Sequence, residues 1–267
     1  MIDKKIGFIG VGNMGLSILL GMLKSNVISK HNIFAYDVFY SDSVPSDIER
    51  AKDIKELVEK SDVVIFAVKP NMFSNVLGEV KVANGYNLKS YISIAAGITT
   101  DYIKEILGDV KITRVMPNLA LSVGEGMTVV CPYENILKDE LSIIEDIFNS
   151  CGKIKVLPES YINKAIAING SAPAYVFMFI EALADAGVKN GLSRDDAYFL
   201  AAQTVLGSAK MVLETGINPA RLKDMVCSPA GTTIEAVVEL EDKGFRGAII
   251  SAVEKCTEKA IEMSNNK

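Results

Sequence analysis

Six consecutive residues late in the chain, Ser228-Pro229-Ala230-Gly231-Thr232-Thr233, combine three hydroxyl groups with several backbone N–H groups. An amphipathic helical pattern follows them directly. Small residues before a helix place unpaired N–H donors and the positive end of the helix dipole at one point. Such a nest suits a small carboxylate. A helix start capped by Ser or Thr gives the same residue types, so other parts of the chain must decide between the two interpretations.

A glycine-rich turn near the start of the chain has the spacing of a dinucleotide-binding site. The turn Gly10-Val11-Gly12-Asn13-Met14-Gly15 follows a strand-like run, Lys5 to Gly10, and precedes a helical pattern. The first glycine allows a tight turn, the second lets the backbone approach a pyrophosphate, and the third lets helix and strand pack closely. This context favours a dinucleotide site over a chance glycine turn.

Further candidate residues follow later strand-like runs. Asp37 ends the second run about 20 residues past the glycines, where a carboxylate bonds a ribose 2′-hydroxyl and repels a 2′-phosphate. An ordinary turn aspartate is the alternative. Other runs end in Val68-Lys69-Pro70, Ala95-Ala96-Gly97 and Pro117-Asn118. Because open α/β sheets bind ligands beyond the carboxyl ends of their strands, we expect these residues to border a nicotinamide cofactor, with NADH accepted at least as well as NADPH.

The scarcity of histidine and the scatter of cysteine exclude several kinds of chemistry. The single histidine, His31, lies before the second strand-like run and is expected to be exposed, so Ser-His-Asp hydrolysis and histidine-ligated metals are poorly supported. The four cysteines form no C-x-x-C pair. That usage predicts reduced thiols in the cytoplasm and no metal site. Hydride transfer from a nicotinamide needs no imidazole, since the cofactor carries the reactive group.

Charge and hydropathy argue against nucleic acid and membrane as partners. The 267 residues carry a net charge of −5, and 49% of them are apolar, enough for a sizeable core. We expect no signal peptide, because the first apolar run is short and broken by glycine. No window holds the ~18 uninterrupted apolar residues that a membrane span needs.

The order of the predicted elements indicates a two-domain α/β protein. Strands alternate with helices up to Pro158, which predicts a Rossmann-type, doubly wound and mostly parallel sheet over residues 1–158. Residues 159–267 show only helical periodicity and form a predicted all-helical domain. Within it, Pro173 to Val188 is apolar almost all round, as is typical of a helix buried in a core or against a second subunit.

Several separated motifs follow one another in order over nearly the whole chain. They are Gly7-Phe8-Ile9-Gly10 with Gly12-Asn13-Met14-Gly15, Ala67-Val68-Lys69-Pro70, Ser93 to Gly97, Arg114 to Asn118, Gly170 to Tyr175, Leu222-Lys223-Asp224, Ser228 to Thr233, and Gly244-Phe245-Arg246. Together these motifs resemble the pyrroline-5-carboxylate reductase family. The resemblance implies NAD(P)H-dependent reduction of 1-pyrroline-5-carboxylate to L-proline, the last step of proline biosynthesis. It also implies that residues 159–267 serve substrate binding and form a homodimer, with larger ring-like assemblies left open.

The resemblance also implies roles for individual residues. Thr233 Oγ1 would hydrogen-bond the ring nitrogen of the imine, and Ser228 with nearby backbone N–H groups would hold its carboxylate. Departures from the family pattern at Asn169, Ala172, Ala230, Leu119-Ala120, Asp37 and Ile54 leave the reaction class alone and bear on cofactor preference. The implied substrate loop is Val226, Ser228, Gly231, Thr232 and Thr233, and the implied cofactor contacts include Asn13, Met14, Val68, Lys69, Ala95 and Gly97.

Two other functions remain open. A β-hydroxyacid dehydrogenase also joins a nucleotide domain to helices, but its chemistry wants a Lys and an Asn one helical turn apart. Here Asn169 lies one position too far from Lys164, which favours a solvated lysine. A nucleotide-binding paralogue without turnover is the other alternative, motivated by the altered residues near Ser171 and Ala230.

Overall fold

Strands and helices alternate up to Val156, and helices alone follow among the described residues. The computed structural model describes residues 1–134 and 136–265. The strands are β1 (Ile6–Ile9), β2 (Ile33–Tyr36), β3 (Glu49–Arg50), β4 (Val63–Phe66), β5 (Ser90–Ser93), β6 (Lys111–Met116), β7 (Gly126–Cys131) and β8 (Gly152–Val156). The helices are α1 (Asn13–Lys24), α2 (Ile54–Lys60), α3 (Phe73–Lys81), α4 (Thr100–Leu107), α5 (Lys138–Asn149), α6 (Ile162–Asn169), α7 (Ala172–Lys189), α8 (Arg194–Thr215), α9 (Pro219–Val226), α10 (Thr232–Asp242) and α11 (Phe245–Asn265).

The strands form one sheet in the order β3-β2-β1-β4-β5-β6-β7-β8. Neighbouring strands run parallel except for the β6–β7 pair, which is antiparallel. The chain leaves β1 towards β2 and β3 and then returns to the other side of β1 with β4. Sheets of this kind bind ligands at such a reversal of strand order. The prediction of a doubly wound, mostly parallel sheet is confirmed.

Helices cover both faces of the sheet. One face packs against α1 and α5, which bury Leu19 and Phe148 there, and the other packs against α2, α3 and α4, which bury Leu57 and Phe73. Strands covered on both faces read as continuous apolar runs, and β1 and β4 are buried along their whole length for this reason. The sheet is therefore a rigid support for the loops at its carboxyl edge.

The first helix after Pro158 still packs on the sheet. Ile162 of α6 lies buried against Met116 of β6 and against Val129 and Cys131 of β7. By its packing, the chain divides into one unit made of Met1–Ser171 with the segment from Cys256 onward, and a second unit, Ala172–Lys255. The last described strand ends at Val156, and the packing groups α6 with the sheet, so a domain boundary at residue 158 stays a prediction. We call these the nucleotide unit and the helical unit.

The helical unit consists of α7 to α10 and the first part of α11. Helices α7 and α8 pack together, and the Phe179 and Phe245 rings lie 6.1 Å apart. Among its described residues only Ala184, Ala197 and Ala201 are buried. By length and composition, the described helical stretch Glu159–Lys189 is apolar enough to cross a membrane, but buried helices of soluble proteins meet the same criterion.

Candidate active site

The glycine turn between β1 and α1 shows which glycines the fold itself requires. Gly10 has φ of 100°, and a Cβ there would lie 2.7 Å from the Ala67 carbonyl oxygen. A Cβ at Gly15 would lie 2.4 Å from the carbonyl oxygen of Gly10. At Gly12 an added Cβ would meet nothing within 4 Å. Gly10 and Gly15 are therefore needed for packing, whereas Gly12 faces open space of the kind that a ligand can fill.

The start of α1 offers donors to that open space. Gly12 is the N-cap of this 12-residue helix, and no side chain caps it among the described residues. Asn13 and Met14 are the first residues of α1, and Gly12 and Asn13 are exposed. Because the first N–H groups of a helix have no partner within the helix, an anion such as a pyrophosphate suits this position.

A cleft of about 500 Å³ opens beside the glycine turn. It lies between the loops that follow β1, β2 and β4, so it brings together residues far apart in the sequence. Gly10, Gly12, Asp37, Val68 and Lys69 line it. These five belong to the predicted cofactor site, and the structure places them around one cavity at the point where the strand order reverses. The position of the cleft at this reversal suits a dinucleotide.

Asp37 has a role in the fold that the sequence did not indicate. Its Oδ2 accepts a hydrogen bond from the Val11 N–H at 2.7 Å, and its Oδ1 accepts one from the Phe39 N–H at 3.0 Å. The carboxylate therefore ties the loop after β2 to the glycine turn. Val38 and Phe39 expose apolar surface beside it, and Glu79 adds a second carboxylate to the wall of the cleft.

The loop after β5, residues Ile94–Thr99, holds three more of the predicted cofactor residues. Ala95 and Gly97 are buried and Ala96 is exposed. We call this segment the β5 loop. Its start is fixed by the hydrogen bond from Ile94 N–H to the Phe66 carbonyl oxygen at 3.2 Å. These residues lie at the carboxyl edge of the sheet, and they are not part of the wall of the 500 Å³ cleft.

Pro70 and Asn118 complete the predicted cofactor residues. Pro70 begins a short 3-10 helix, Pro70–Met72, directly after Lys69. The Asn118 side chain is turned into the protein, where its Nδ2 donates to the Asn169 carbonyl oxygen at 3.0 Å and its Oδ1 accepts from the Met127 N–H at 3.1 Å. A direct contact between Asn118 and cofactor stays a prediction, since both atoms of its amide already have protein partners.

Asn169, noted as a departure from the family pattern, bridges two strands. Its Nδ2 donates to the carbonyl oxygen of Met116 at 2.8 Å and, more weakly, to that of Met127 at 3.4 Å. The residue is buried. It therefore fixes the end of α6 to the carboxyl end of β6. No local pattern in the sequence could have shown this, because the partners lie about fifty positions apart.

The hydroxyl-rich loop lies in the helical unit, at the start of α10. The Gly231 N–H donates to the Ser228 carbonyl oxygen at 3.0 Å, which closes a tight turn, and Ala230 in that turn has φ of 56°. Gly231 is the N-cap of α10, and within the described chain no side-chain hydrogen bond caps this helix. The alternative of a Ser- or Thr-capped helix is therefore not what the structure shows, and the N–H groups of the first turn remain for a ligand.

The residues of this loop differ in exposure. Thr232 and Thr233 are the first two residues of α10, with Thr232 exposed and Thr233 half-buried. Ser228 is exposed, and Val226 at the end of α9 is 67% exposed. The loop thus presents two hydroxyls and one apolar side chain at its surface, with the Thr233 hydroxyl more sheltered.

Alternative chemistries find little support among the described residues. His31 is exposed, as predicted, and no group of three or more His, Cys, Asp or Glu residues there could hold a metal ion. Burial raises the pKa of the Cys131 thiol to about 11, so it is protonated at neutral pH. Lys164 is exposed, with its ammonium 5.1 Å from the centre of the Tyr161 ring, as expected for a solvated helix residue.

Comparison with known families now defines the class of protein. Residues 5–97 match the model described as NADP oxidoreductase, coenzyme F420-dependent. Residues 159–263 match the model described as pyrroline-5-carboxylate reductase dimerisation. Together with the sheet topology and the open glycine turn, these matches define an NADP-type oxidoreductase with a Rossmann-like first domain and a helical dimerisation domain.

Relatives of known name cover the whole chain. A pyrroline-5-carboxylate reductase of Escherichia coli (strain K12) is 46% identical, over 99% of this chain and 100% of the relative. One from Methanosarcina acetivorans is 41% identical over 98% and 99% of the two chains. The crystal structure of Plasmodium falciparum pyrroline carboxylate reductase with NADP bound matches with a TM-score of 0.89 at 37% identity, covering 99% of both chains. The chain belongs to the pyrroline-5-carboxylate reductase family.

Proposed function

We propose that the protein reduces 1-pyrroline-5-carboxylate to L-proline with NADH or NADPH. The observation that carries this proposal is the full-length similarity to reductases of that name, at 46% identity in one case. NADH oxidation by the purified protein, followed with pyrroline-5-carboxylate as substrate, tests it. Nucleotide binding without turnover would instead support the non-catalytic paralogue, and turnover of 2- or 3-hydroxy acids with NAD⁺ would support a hydroxyacid dehydrogenase.

The nucleotide unit offers the groups that would hold the cofactor. The glycine turn, with Gly10, Gly12 and Gly15, and the first N–H groups of α1 at Asn13 and Met14 fit the pyrophosphate. The remaining contacts would come from the carboxyl edge of the sheet: Asp37, Val68, Lys69, Pro70, Ala95, Ala96, Gly97 and Asn118. When bound, a reduced nicotinamide supplies the hydride that the reaction requires.

The loop before α10 would bind the substrate. Ser228 and the N–H groups of Thr232 and Thr233, in the first turn of α10, suit the pyrroline carboxylate, aided by the positive end of the α10 dipole. Val226 offers apolar surface for the ring. Thr233 Oγ1 would accept a hydrogen bond from the N–H of the protonated imine and orient the ring. Since a protonated imine is already electrophilic, orientation supplies most of the acceleration and no strong protein acid is needed.

Replacing Thr233 tests this assignment directly. We expect Thr233→Ala to lower kcat/KM for the imine by about 10–1000-fold, the range of one lost positioning hydrogen bond. Thr233→Ser keeps the hydroxyl and is the matched control, with kcat/KM close to that of the unchanged protein. Unchanged steady-state kinetics in Thr233→Ala would remove Thr233 from the mechanism.

The charges of the cleft favour NADH over NADPH at the ribose position. Asp37 and Glu79 place two carboxylates on its walls, against the single ammonium of Lys69. A 2′-phosphate near Asp37 would meet electrostatic repulsion. We expect kcat/KM with NADH to equal or exceed that with NADPH for the same imine substrate. Glu79→Gln should shift the ratio towards NADPH, and a strong NADPH preference in the unchanged protein would refute this assignment.

The helical unit supports a homodimer, and the free cysteines fit the cytoplasm. Its large apolar side chains are exposed in the single chain, among them Phe177 and Leu206, and its sequence matches a dimerisation domain. Two of the four free cysteines, Cys131 and Cys151, are buried, which suits a reducing compartment. A mass measurement in solution tests the dimer and would also reveal a larger, ring-like assembly.

A further inference from the structure

An ion pair beside the β5 loop joins the buried guanidinium of Arg114 to the half-buried carboxylate of Glu159. Arg114 of β6 is only 2% exposed, and its Nη1 donates to Glu159 Oε1 at 3.0 Å. Its Nε and Nη2 are buried as well, and neither has a hydrogen-bond partner among residues 1–134 and 136–265. Burying a charge is costly unless it is fully paired and hydrogen-bonded. A half-satisfied guanidinium in the middle of the sheet therefore calls for an explanation beyond stability.

The same carboxylate also holds the end of the β5 loop. Glu159 Oε1 accepts the Thr100 N–H at 3.1 Å, and Glu159 Oε2 accepts the Thr100 hydroxyl. Thr100 is the first residue of α4 and directly follows the β5 loop, while Thr99 caps that helix by accepting the Tyr102 N–H at 3.2 Å. One carboxylate thus joins β6, α4 and the segment just before α6.

The β5 loop is consequently fixed from three directions. At its start, Ile94 is bonded to the end of β4. At its end, Thr100 is held by Glu159. Between them, Gly97 lies under the last part of α11, where an added Cβ would stand 3.4 Å from the Met263 carbonyl oxygen. A short loop held this way has little freedom, so anything that binds against it is held in one orientation.

We propose that Arg114, Glu159 and Thr100 form a positioning network that holds the β5 loop against the nicotinamide ring. The inference rests on the proposed function, since it takes Ala95 and Gly97 to border the ring. Arg114 fixes the Glu159 carboxylate, Glu159 fixes Thr100, and Thr100 fixes the loop. None of the three touches the reacting atoms. Loosening the network lets the ring move, which slows hydride transfer more than it weakens binding of the imine.

A pair of substitutions at Thr100 tests the network with little risk to folding. Thr100→Val removes the hydroxyl that Glu159 holds and keeps the shape of the side chain. We expect it to lower kcat by about 5–50-fold, the scale of a small misplacement of reacting groups, with the KM for the imine within about twofold. Thr100→Ser restores the hydroxyl and should restore kcat. Glu159→Gln should lower kcat further and also lower Tm, because it leaves Arg114 buried without an anion.

Thr113 supplies the matched control, since it precedes Arg114 in β6. Its hydroxyl is buried and has no hydrogen-bond partner in the part of the chain that the structure describes. Thr113→Val therefore makes the same change at a site where no described bond is lost. We expect kcat to be unchanged and Tm to be equal or higher. A kcat unchanged in Thr100→Val, or lowered equally in Thr113→Val, would overturn the proposal.

The fluorescence of bound NADH tests the network independently of the proposed function. The nicotinamide fluorescence of bound NADH should differ between Thr100→Val and Thr100→Ser, and should match the unchanged protein in the serine variant. That readout requires no turnover of pyrroline-5-carboxylate. If the unchanged protein bound NADH without reducing the imine, the proposed function would fail. The NADH fluorescence of the two Thr100 variants would still test the network. Identical emission in both Thr100 variants would refute the network.

Discussion

The two units of the chain bury their apolar residues in different ways. The nucleotide unit covers both faces of its sheet with its own helices, so that Phe66 of β4 has no exposed surface. The helical unit leaves Phe177 58% and Leu206 54% exposed, and its buried residues within the described chain are three alanines. We infer that the first unit carries a complete core, whereas the second completes its core with another copy of the chain.

The energies agree with this inference. Burying one Phe or Leu side chain contributes about 1.5–3 kcal/mol, and association costs about 4–15 kcal/mol. A group of apolar residues from α7 and α8 therefore suffices to drive dimerisation. The stability of the helical unit should then depend on protein concentration, and that of the nucleotide unit should not.

The largest effect is expected from charges on the exposed apolar faces. The double variant Phe177→Glu with Leu206→Glu places one carboxylate on α7 and another on α8. We expect a monomer with about 100-fold or greater loss of activity, because obligate dimers often have no stable folded monomer. Val82→Glu is the control, since Val82 is 67% exposed but lies in the nucleotide unit. Light scattering after gel filtration measures the mass. A dimeric double variant would contradict the inference that the helical unit completes its core with another copy of the chain.

A smaller effect, on stability alone, is expected when one phenylalanine in each unit is replaced by alanine. The Phe66 ring stacks on Tyr91 at 5.3 Å and contacts Phe73 at 5.6 Å. Phe66→Ala should cost about 3–5 kcal/mol of unfolding free energy at any protein concentration. Phe177→Ala should cost an amount that changes with protein concentration, since the lost contacts are with another copy. Urea unfolding at two protein concentrations checks both variants. An equal dependence on protein concentration in the two variants would refute the distinction between the two units.

The smallest effect concerns the turn before α10. Ala230 has φ of 56°, a conformation that costs an alanine about 1–2 kcal/mol, whereas glycine adopts it freely. After the added entropy of a glycine in the unfolded chain, Ala230→Gly should stabilise the protein by about 0.5–1 kcal/mol. Ala252→Gly in α11 is the control and should destabilise by about 1 kcal/mol. A Tm that falls in both variants would show that the turn is not strained.

Local patterns in the sequence predicted most of the nucleotide unit. The glycine turn, the buried runs of β1 and β4, and the residues beyond the strand ends all follow from short-range rules. The antiparallel direction of β7 could not be predicted, because the sequence pattern of a strand is the same in parallel and antiparallel pairs. The position of α6 could not be predicted either, because its helical pattern resembles those of the later helices. In the structure, Ile162 of α6 packs on the sheet.

The parts of the candidate site that escaped prediction depend on distant partners. Arg114 and Glu159 lie 45 positions apart, and neither stands in a pattern that indicates an ion pair. Asp37 was predicted to meet a ribose, but its bond to the Val11 N–H follows only from the packing of two loops. In the helical unit, the apolar pattern of Pro173–Val188 predicted a helix that is buried in a core or against a second subunit. A single chain leaves most of that surface open.

The double hydrogen bonding of Asp37 has a consequence for how cofactor use can evolve. The carboxylate that would discriminate between nicotinamides also ties the loop after β2 to the glycine turn. Exchanging it for a neutral or basic residue would change selectivity and loosen the turn together, so a single mutation carries a folding penalty. A coenzyme switch at this position would therefore require a second change that supplies another hydrogen-bond acceptor for the Val11 N–H.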